Sequence, residues 1–137
     1  MQKRQTLLSI LRKQSPSRRR PGDEEHRIQC ACVRWFRLKY PYLSHALFSV
    51  PNGGARDPVT GARLKAEGVL PGVADIILLV HTCRYGALLI EMKTGSGRQS
   101  AAQKQWQKAI TADDCYRYTV CRSLEDFIRE TEDYLKT

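Results

Sequence analysis

Glu91 and Lys93 stand two residues apart near the end of an otherwise apolar stretch, in the segment LLIEMKTGSGRQSAAQKQWQ (88–107). Buried charges are costly unless they are paired or bind an ion, so the two either finish a strand or build a site. A second acid, Asp75, immediately precedes another apolar run, IILLV (76–80). The link from 80 to 85 is short, which makes the two runs an antiparallel hairpin. Centred on Cys83, that hairpin sets Asp75 opposite Glu91, with Cβ atoms about 4.5–5.5 Å apart. Lys93 projects to the same face, because side chains alternate along a strand. A slip of one residue separates the three; a slip of two keeps them together.

Two opposed carboxylates repel each other, and a cation between them removes the conflict. Oxygen ligands at this density suit Mg²⁺ or Mn²⁺ and not a soft metal, and the Met92 backbone carbonyl is a further candidate ligand. Such an ion lowers the pKa of its water and polarises a phosphoryl oxygen. Lys93 beside it is suited to neutralise charge developing at phosphorus. Together the groups describe phosphodiester hydrolysis. The plainer reading makes Asp75 the end of a turn and Glu91 with Lys93 a strand-end ion pair; the matched depth of Asp75 on the neighbouring strand weighs against it. Opposed carboxylates about 5 Å apart also suit a retaining glycosidase. Lys93, the lack of aromatics for a sugar cleft and the basic N-terminus make that remote.

Other residues carry weaker signals. Glu25 and Gln29 lie one helical turn apart and share a face. By periodicity alone Glu25 reads as a first-turn acid complementing the helix dipole, with Glu24 its competitor for any metal role. Gln103 follows Ser100 by three, the spacing of a capping box, and is equally a candidate active-site contact. Trp106 reads as core, and His26, His45 and His81 show no ligand spacing.

The elements that must position these groups follow from pattern and punctuation. A helix is expected over 23–40, with acids in its first turn and Pro41 closing it. A strand follows at 45–50, ended by PNGG, then a turn, short helix and turn over 59–72. Strands at 75–80 and 85–93, apolar on both faces, fit a sheet covered on two sides. A loop, TGSGRQ, leads to a helix starting at Ser100, a β-rich run at 116–121 and a last helix capped by Ser123. The fold class is α/β: a mixed sheet flanked by helices.

The chain has 137 residues, 42% hydrophobic and 27% charged, which suits one globular core. No apolar run approaches a membrane span. Five cysteines, an odd number without a CxxC pair, read as reduced and mostly buried thiols of an intracellular protein. The net charge of +9 is uneven: residues 1–22 hold seven bases and no acid, and the remaining 115 carry 16 bases and 14 acids. The division is therefore a basic arm over 1–22 and a folded domain over 23–137. The arm suggests a polyanionic partner, most simply nucleic acid. A solvated tail and a targeting segment are the competing readings.

The ordered features EHRIQ with Glu25 and Gln29, then WF and Tyr40–Pro41, VPNGG, LKAEGVLPGVAD, LLIEMKTGSGRQS and AAQKQWQ resemble the VRR-NUC domain of the PD-(D/E)XK nuclease superfamily over about 24–110. The resemblance implies a restriction-endonuclease-like mixed β-sheet flanked by helices, with the site on an antiparallel hairpin. It implies Asp75 and Glu91 as metal ligands, Lys93 as the catalytic lysine, Glu25 as the helix carboxylate completing the site, and Gln103 as its supporting glutamine. Ala74 departs from the proline often found before the key aspartate; that proline shapes backbone and does no chemistry. Arg18, Arg19 and Arg20 of the arm, with Asn52 and Arg98 in loops, are the candidate DNA contacts. The small size is similar to stand-alone phage and bacterial versions. These suggest a cytoplasmic, Mg²⁺- or Mn²⁺-dependent, structure-specific DNA endonuclease, acting as a homodimer on branched DNA such as Holliday junctions. The alternative is a DNA-binding accessory module with the same fold that does not cut.

Overall fold

The computed structural model describes residues 22–51 and 57–137. Arg18, Arg19, Arg20 and Asn52, and the arm as far as residue 21, lie outside the described residues. Helix α1 (Asp23–Lys39) starts after Gly22, whose φ of 91° admits the chain to the first turn. Three acids, Asp23, Glu24 and Glu25, occupy its positive end, and Arg37 and Lys39 its negative end. The helix stops where the Tyr40 amide donates to Phe36 O (2.8 Å) and Pro41, which has no donor, follows.

Pro41 opens a 3₁₀ turn, Pro41–Ala46, before strand β1 (Leu47–Ser49) begins. The expected strand at 45–50 is thus shortened, because the turn captures His45 and Ala46. Asp57 caps helix α2 (Pro58–Ala66) by accepting from the Thr60 amide at 2.9 Å. Strand β2 (Ile76–Leu78) and strand β3 (Ala87–Met92) come next. Helix α3 (Ala101–Ile110), strand β4 (Tyr116–Cys121) and helix α4 (Leu124–Leu135) complete the chain, with Ser100 and Ser123 as N-caps.

The sheet order is β1-β2-β3-β4; the first two pairings are antiparallel, and β4 joins β3 in parallel through α3. Ile76 pairs with Ile90 and Leu78 with Leu88. This is the register of a hairpin centred on Cys83. At its tip the Thr82 amide donates to Tyr85 O (2.7 Å), and the Tyr85 amide donates to Thr82 Oγ1 (3.0 Å).

One face of the sheet presents Leu47, Ile76, Leu78, Leu88, Ile90 and Met92, closed over by Cys32 and Phe36 of α1 and Phe127 and Tyr134 of α4. The opposite face presents Ala87 and Leu89, with Ile77 and Tyr118, under Trp106 and Ile110 of α3. Every side chain of β3 is buried, as expected for a strand covered on both faces. Each large apolar group fully buried here contributes about 1.5–3 kcal/mol. No helix among the described residues is long and apolar enough to cross a membrane.

The cysteine expectation needs correction. All five thiols are free, but only Cys32 and Cys121 are buried, whereas Cys30, Cys83 and Cys115 are exposed. Cys83 sits at the hairpin tip and Cys115 in the loop before β4, places where a small side chain is accepted without packing.

Gly72 fixes how the segment before Asp75 meets α3. Its φ is 88°, and a Cβ there would lie 2.4 Å from Ala102 O in the first turn of that helix. Gly68, also at positive φ, has open space around it. Gly72→Ala is expected to cost on the order of 3 kcal/mol, from left-handed strain plus the backbone clash, and Gly68→Ala about 1 kcal/mol from strain alone. Urea denaturation of the two variants checks this; equal losses would show that the packing against α3 is not tight.

Candidate active site

The β2–β3 pairing, continued by one residue past Ile76 and Ile90, sets Asp75 opposite Glu91. Alternation along β3 aims Glu91 and Lys93 at the face covered by α3, the side that also holds Leu89. The Asp75 side chain closes this end of the hairpin: Oδ2 accepts from the Met92 amide at 2.8 Å, and the Asp75 carbonyl accepts from the Val50 amide at 2.8 Å. Met92 thus meets Asp75 through its N–H, and its side chain is buried in the opposite core.

Glu91 is 0% exposed. Oε1 receives two donors, Lys93 Nζ at 3.0 Å and Gln103 Nε2 at 2.5 Å. Oε2 is buried and has no hydrogen-bond partner. Gln103 completes the capping box and also reaches the buried carboxylate of Glu91. Its Oε1 accepts from the Ser100 amide (2.7 Å) and its backbone amide donates to Ser100 Oγ (3.2 Å), while its Nε2 reaches Glu91. The capping box therefore anchors the donor that holds the buried carboxylate.

Burial pushes the Glu91 carboxyl up to about 7; the hydrogen bond from Lys93 opposes the shift, and the Asp75 charge adds to it. Glu25 is raised above its ordinary value by burial first, then by the Asp75 charge, with Lys93 opposing. Glu25 and Asp75 line one cleft, so Glu25 senses the Asp75 charge. Glu24, one residue earlier, is exposed. The helix dipole and the site are compatible for Glu25, since the first turn of α1 is where it meets Asp75. Gln29 joins them along a cleft of about 1220 Å³ between α1 and β1, which Asp75 also lines. Arg98 is exposed on the loop between β3 and α3.

The sequence pattern did not single out Tyr118, which senses the Glu91 charge, or Gln99 and Gln107, which are linked to it by hydrogen bonds. Tyr118 on β4 is pushed up to about 12, by burial first and then by the Glu91 charge. Gln99 Nε2 donates to Tyr118 Oη at 3.1 Å and to Gln107 Oε1 at 2.9 Å. The alternation in YRYTVC was visible, but its register was not. A parallel strand reached through a helix carries no turn to fix the pairing, which proves to be Tyr118 with Leu89 and Val120 with Glu91. Trp106 packs as core, its ring 6.2 Å from that of Tyr118.

The oxygen-only donor set and the buried, unpartnered Oε2 of Glu91 fit a hard divalent cation. Among the described residues, no three His, Cys, Asp or Glu side chains gather closely enough to hold an ion alone. Two carboxylates remain, Asp75 and Glu91, which is the usual protein share for Mg²⁺ when water and substrate phosphate complete the shell.

The raised pKa has a sign that can be measured. Glu91 ionises near its ordinary 4.5 when unfolded and near 7 when folded. Its charge therefore destabilises the fold increasingly as pH rises from 4.5 to 7, and fully above. Glu91→Gln is expected to be more stable than the wild type at pH 8 without divalent ions, by on the order of 3 kcal/mol. The difference should vanish below about pH 4.5. Urea unfolding across pH checks it; a variant less stable at pH 8 than the wild type would overturn the assignment.

No protein-family model and no curated protein matches the chain. Among solved structures, a VRR_NUC domain protein superposes with a TM-score of 0.69 over 82% of this chain and 88% of that one, at 23% identity. The chain shares the fold of that VRR_NUC domain protein, a mixed sheet with flanking helices.

Proposed function

We propose that this protein is a Mg²⁺- or Mn²⁺-dependent DNA endonuclease that hydrolyses phosphodiester bonds. The observation that carries the reading is the buried Glu91 carboxylate, with one oxygen held by Lys93 and Gln103 and the other unpartnered, opposite Asp75 in a VRR-NUC fold. Asp75 and Glu91 are the residues that would hold the ion, with the Met92 carbonyl as a third candidate ligand. The ion would supply charge stabilisation at phosphorus and a water of lowered pKa.

The chain's own groups do the rest. Gln103 orients Glu91 from a capped helix end, so the carboxylate cannot rotate freely. Lys93 keeps its ammonium 3.0 Å from Glu91, with its side chain 15% exposed, where it can also meet a phosphate oxygen. Glu25, with its raised pKa, lines the same cleft as Asp75 and is suited to exchange a proton at its carboxyl group. Apolar packing by Ala74, Ile77 and Leu89 excludes bulk water from the inner side of the site.

Branched DNA, with a four-way junction as the leading candidate, is the proposed substrate, and a homodimer the proposed working form. A junction needs two symmetric incisions, which a two-fold pair of sites supplies. The basic arm over residues 1–22, including Arg18, Arg19 and Arg20, together with Asn52 and Arg98, would add salt-sensitive backbone affinity. The domain boundary proposed at 22/23 assigns that arm to binding and the rest to chemistry.

Labelled duplex, flap, splayed-arm and four-way junction DNAs, incubated with Mn²⁺ or Mg²⁺, test the reading. Cutting should be fastest on a branched substrate and stop in EDTA, and it should fall at least about 100-fold in Glu91→Ala and in Lys93→Ala. Cutting that persists in Glu91→Ala would assign it elsewhere. Tight binding with no incision by the wild type would identify a DNA-binding accessory module.

A further inference from the structure

The cleft that reaches Asp75 continues along α1 well beyond the carboxylates. Two adjacent i,i+4 rows of that helix form its wall: Glu25, Gln29 and Arg37 in one, and His26, Cys30 and Arg34 in the other. The wall is strongly polarised. Its N-terminal end is acidic, at Glu25 opposite Asp75, and its C-terminal end carries two guanidinium groups. Arg34 and Arg37 are exposed, and neither belongs to an ion pair or a hydrogen bond among the described residues. By contrast Arg63, Arg84, Arg117 and Arg129 each meet an acid.

We infer that Arg34 and Arg37 form a phosphate-binding track that holds one DNA strand along α1 while another phosphate of the same strand sits at Asp75 and Glu91. This rests on the nuclease reading for the far end of the strand. From the helical rise, Arg34 and Arg37 lie about 14 and 18 Å along the axis from Glu25. With α1 laid along the duplex axis, where one strand of B-form DNA rises about 3.4 Å per phosphate, that places the phosphates they meet about four to five nucleotides from the bond to be cut. Guanidinium forks suit phosphate oxygens, and unpaired ones have no protein partner to give up on binding. The acidic end repels a bare phosphate, so the strand is held from the basic end, with its register set by the distance between the two. A pair of arginines that merely complements the helix dipole has no such positional consequence.

The test is equilibrium binding of a labelled four-way junction and a splayed duplex by the full chain, in EDTA, at several NaCl concentrations. Arg34→Ala/Arg37→Ala should bind at least about 10-fold more weakly at low salt and lower the slope of log K against log salt by nearly 2, about 0.9 for each phosphate no longer neutralised. Arg34→Lys/Arg37→Lys should recover most of the slope. Arg63→Ala/Lys65→Ala, which removes the same charge from α2, should change the slope by less than half as much. A slope in the arginine double variant equal to that of the wild type, or to that of the α2 control, would overturn the track. Thermal melting of each variant separates a failure to fold from a failure to grip phosphate. Because the readout is binding without divalent ions, the slope comparison decides for or against the track even if the wild type never cuts DNA.

Discussion

A single carboxylate, Glu91, sets the terms for the rest of this structure. It occupies the fifth position of a strand whose six side chains are all buried, among Leu89, Ile90 and Met92. Removing a charge from water in such a place costs several kcal/mol, and pairing repays it only when the geometry is good and the remaining lone pairs are satisfied. Here the repayment is partial. Lys93 and Gln103 both converge on Oε1 and leave Oε2 without a donor. A hydrophobe at 91 would carry no such desolvation cost, so under the proposed function the residue would be a conflict between stability and chemistry.

Several distant features make sense as supports for that carboxylate. Gln103 can donate to Glu91 only if α3 begins at Ser100, and the capping box fixes that start. The helix end must also approach the segment before Asp75 closely, which Gly72 permits because it has no side chain to collide with Ala102. The loop that joins the end of β3 to α3 is held from outside: Arg122 Nη1 donates to Gly95 O at 2.9 Å and to Gly97 O at 2.8 Å. Arg122 directly follows β4, whose Tyr118 flanks Glu91. The three elements around the buried acid are thus tied to one another by short polar contacts as well as by packing, which is what keeps a site's geometry narrow.

Legibility in the sequence followed the range of the physical constraint. The hairpin register was readable because a short turn between two apolar runs leaves few pairings, and Ile76 does pair with Ile90. Helix starts at Ser100 and Ser123 were readable because capping is local. Glu25 was ambiguous, since a first-turn acid satisfies the helix dipole wherever the helix points; what distinguishes it from the exposed Glu24 is that it is partly buried and lines the cleft that Asp75 also lines. Tyr118 and Gln99 were unreadable because a parallel pairing through a helix has no local signature. The 3₁₀ turn over Pro41–Ala46 hid behind a β-like pattern, as short turns do when a proline supplies the only local cue.

The electrostatics of the proposed chemistry close on a coupling between cation and nucleic acid. Around the hairpin end, Glu25, Asp75 and Glu91 outnumber Lys93, so a phosphodiester approaching the bare site meets net repulsion, even though the whole chain carries +9. Burial, with the Asp75 charge adding to it, keeps the Glu91 pKa high and its carboxyl partly protonated near neutrality. A divalent ion held by Asp75 and Glu91, as proposed, would reverse both effects at once: it would favour the ionised Glu91 and turn repulsion of phosphate into attraction. The ion and the DNA must then strengthen each other's binding by the same factor, because linkage between two ligands is reciprocal. Positive charge elsewhere on the protein can raise the local concentration of DNA, but it cannot substitute for this local reversal, since exposed charges more than about 10 Å away are largely screened at physiological salt. Under the proposed function affinity and chemistry would be divided in space: guanidinium groups on the α1 wall would gather the strand, and the carboxylates on the hairpin would admit its phosphate only together with a divalent cation.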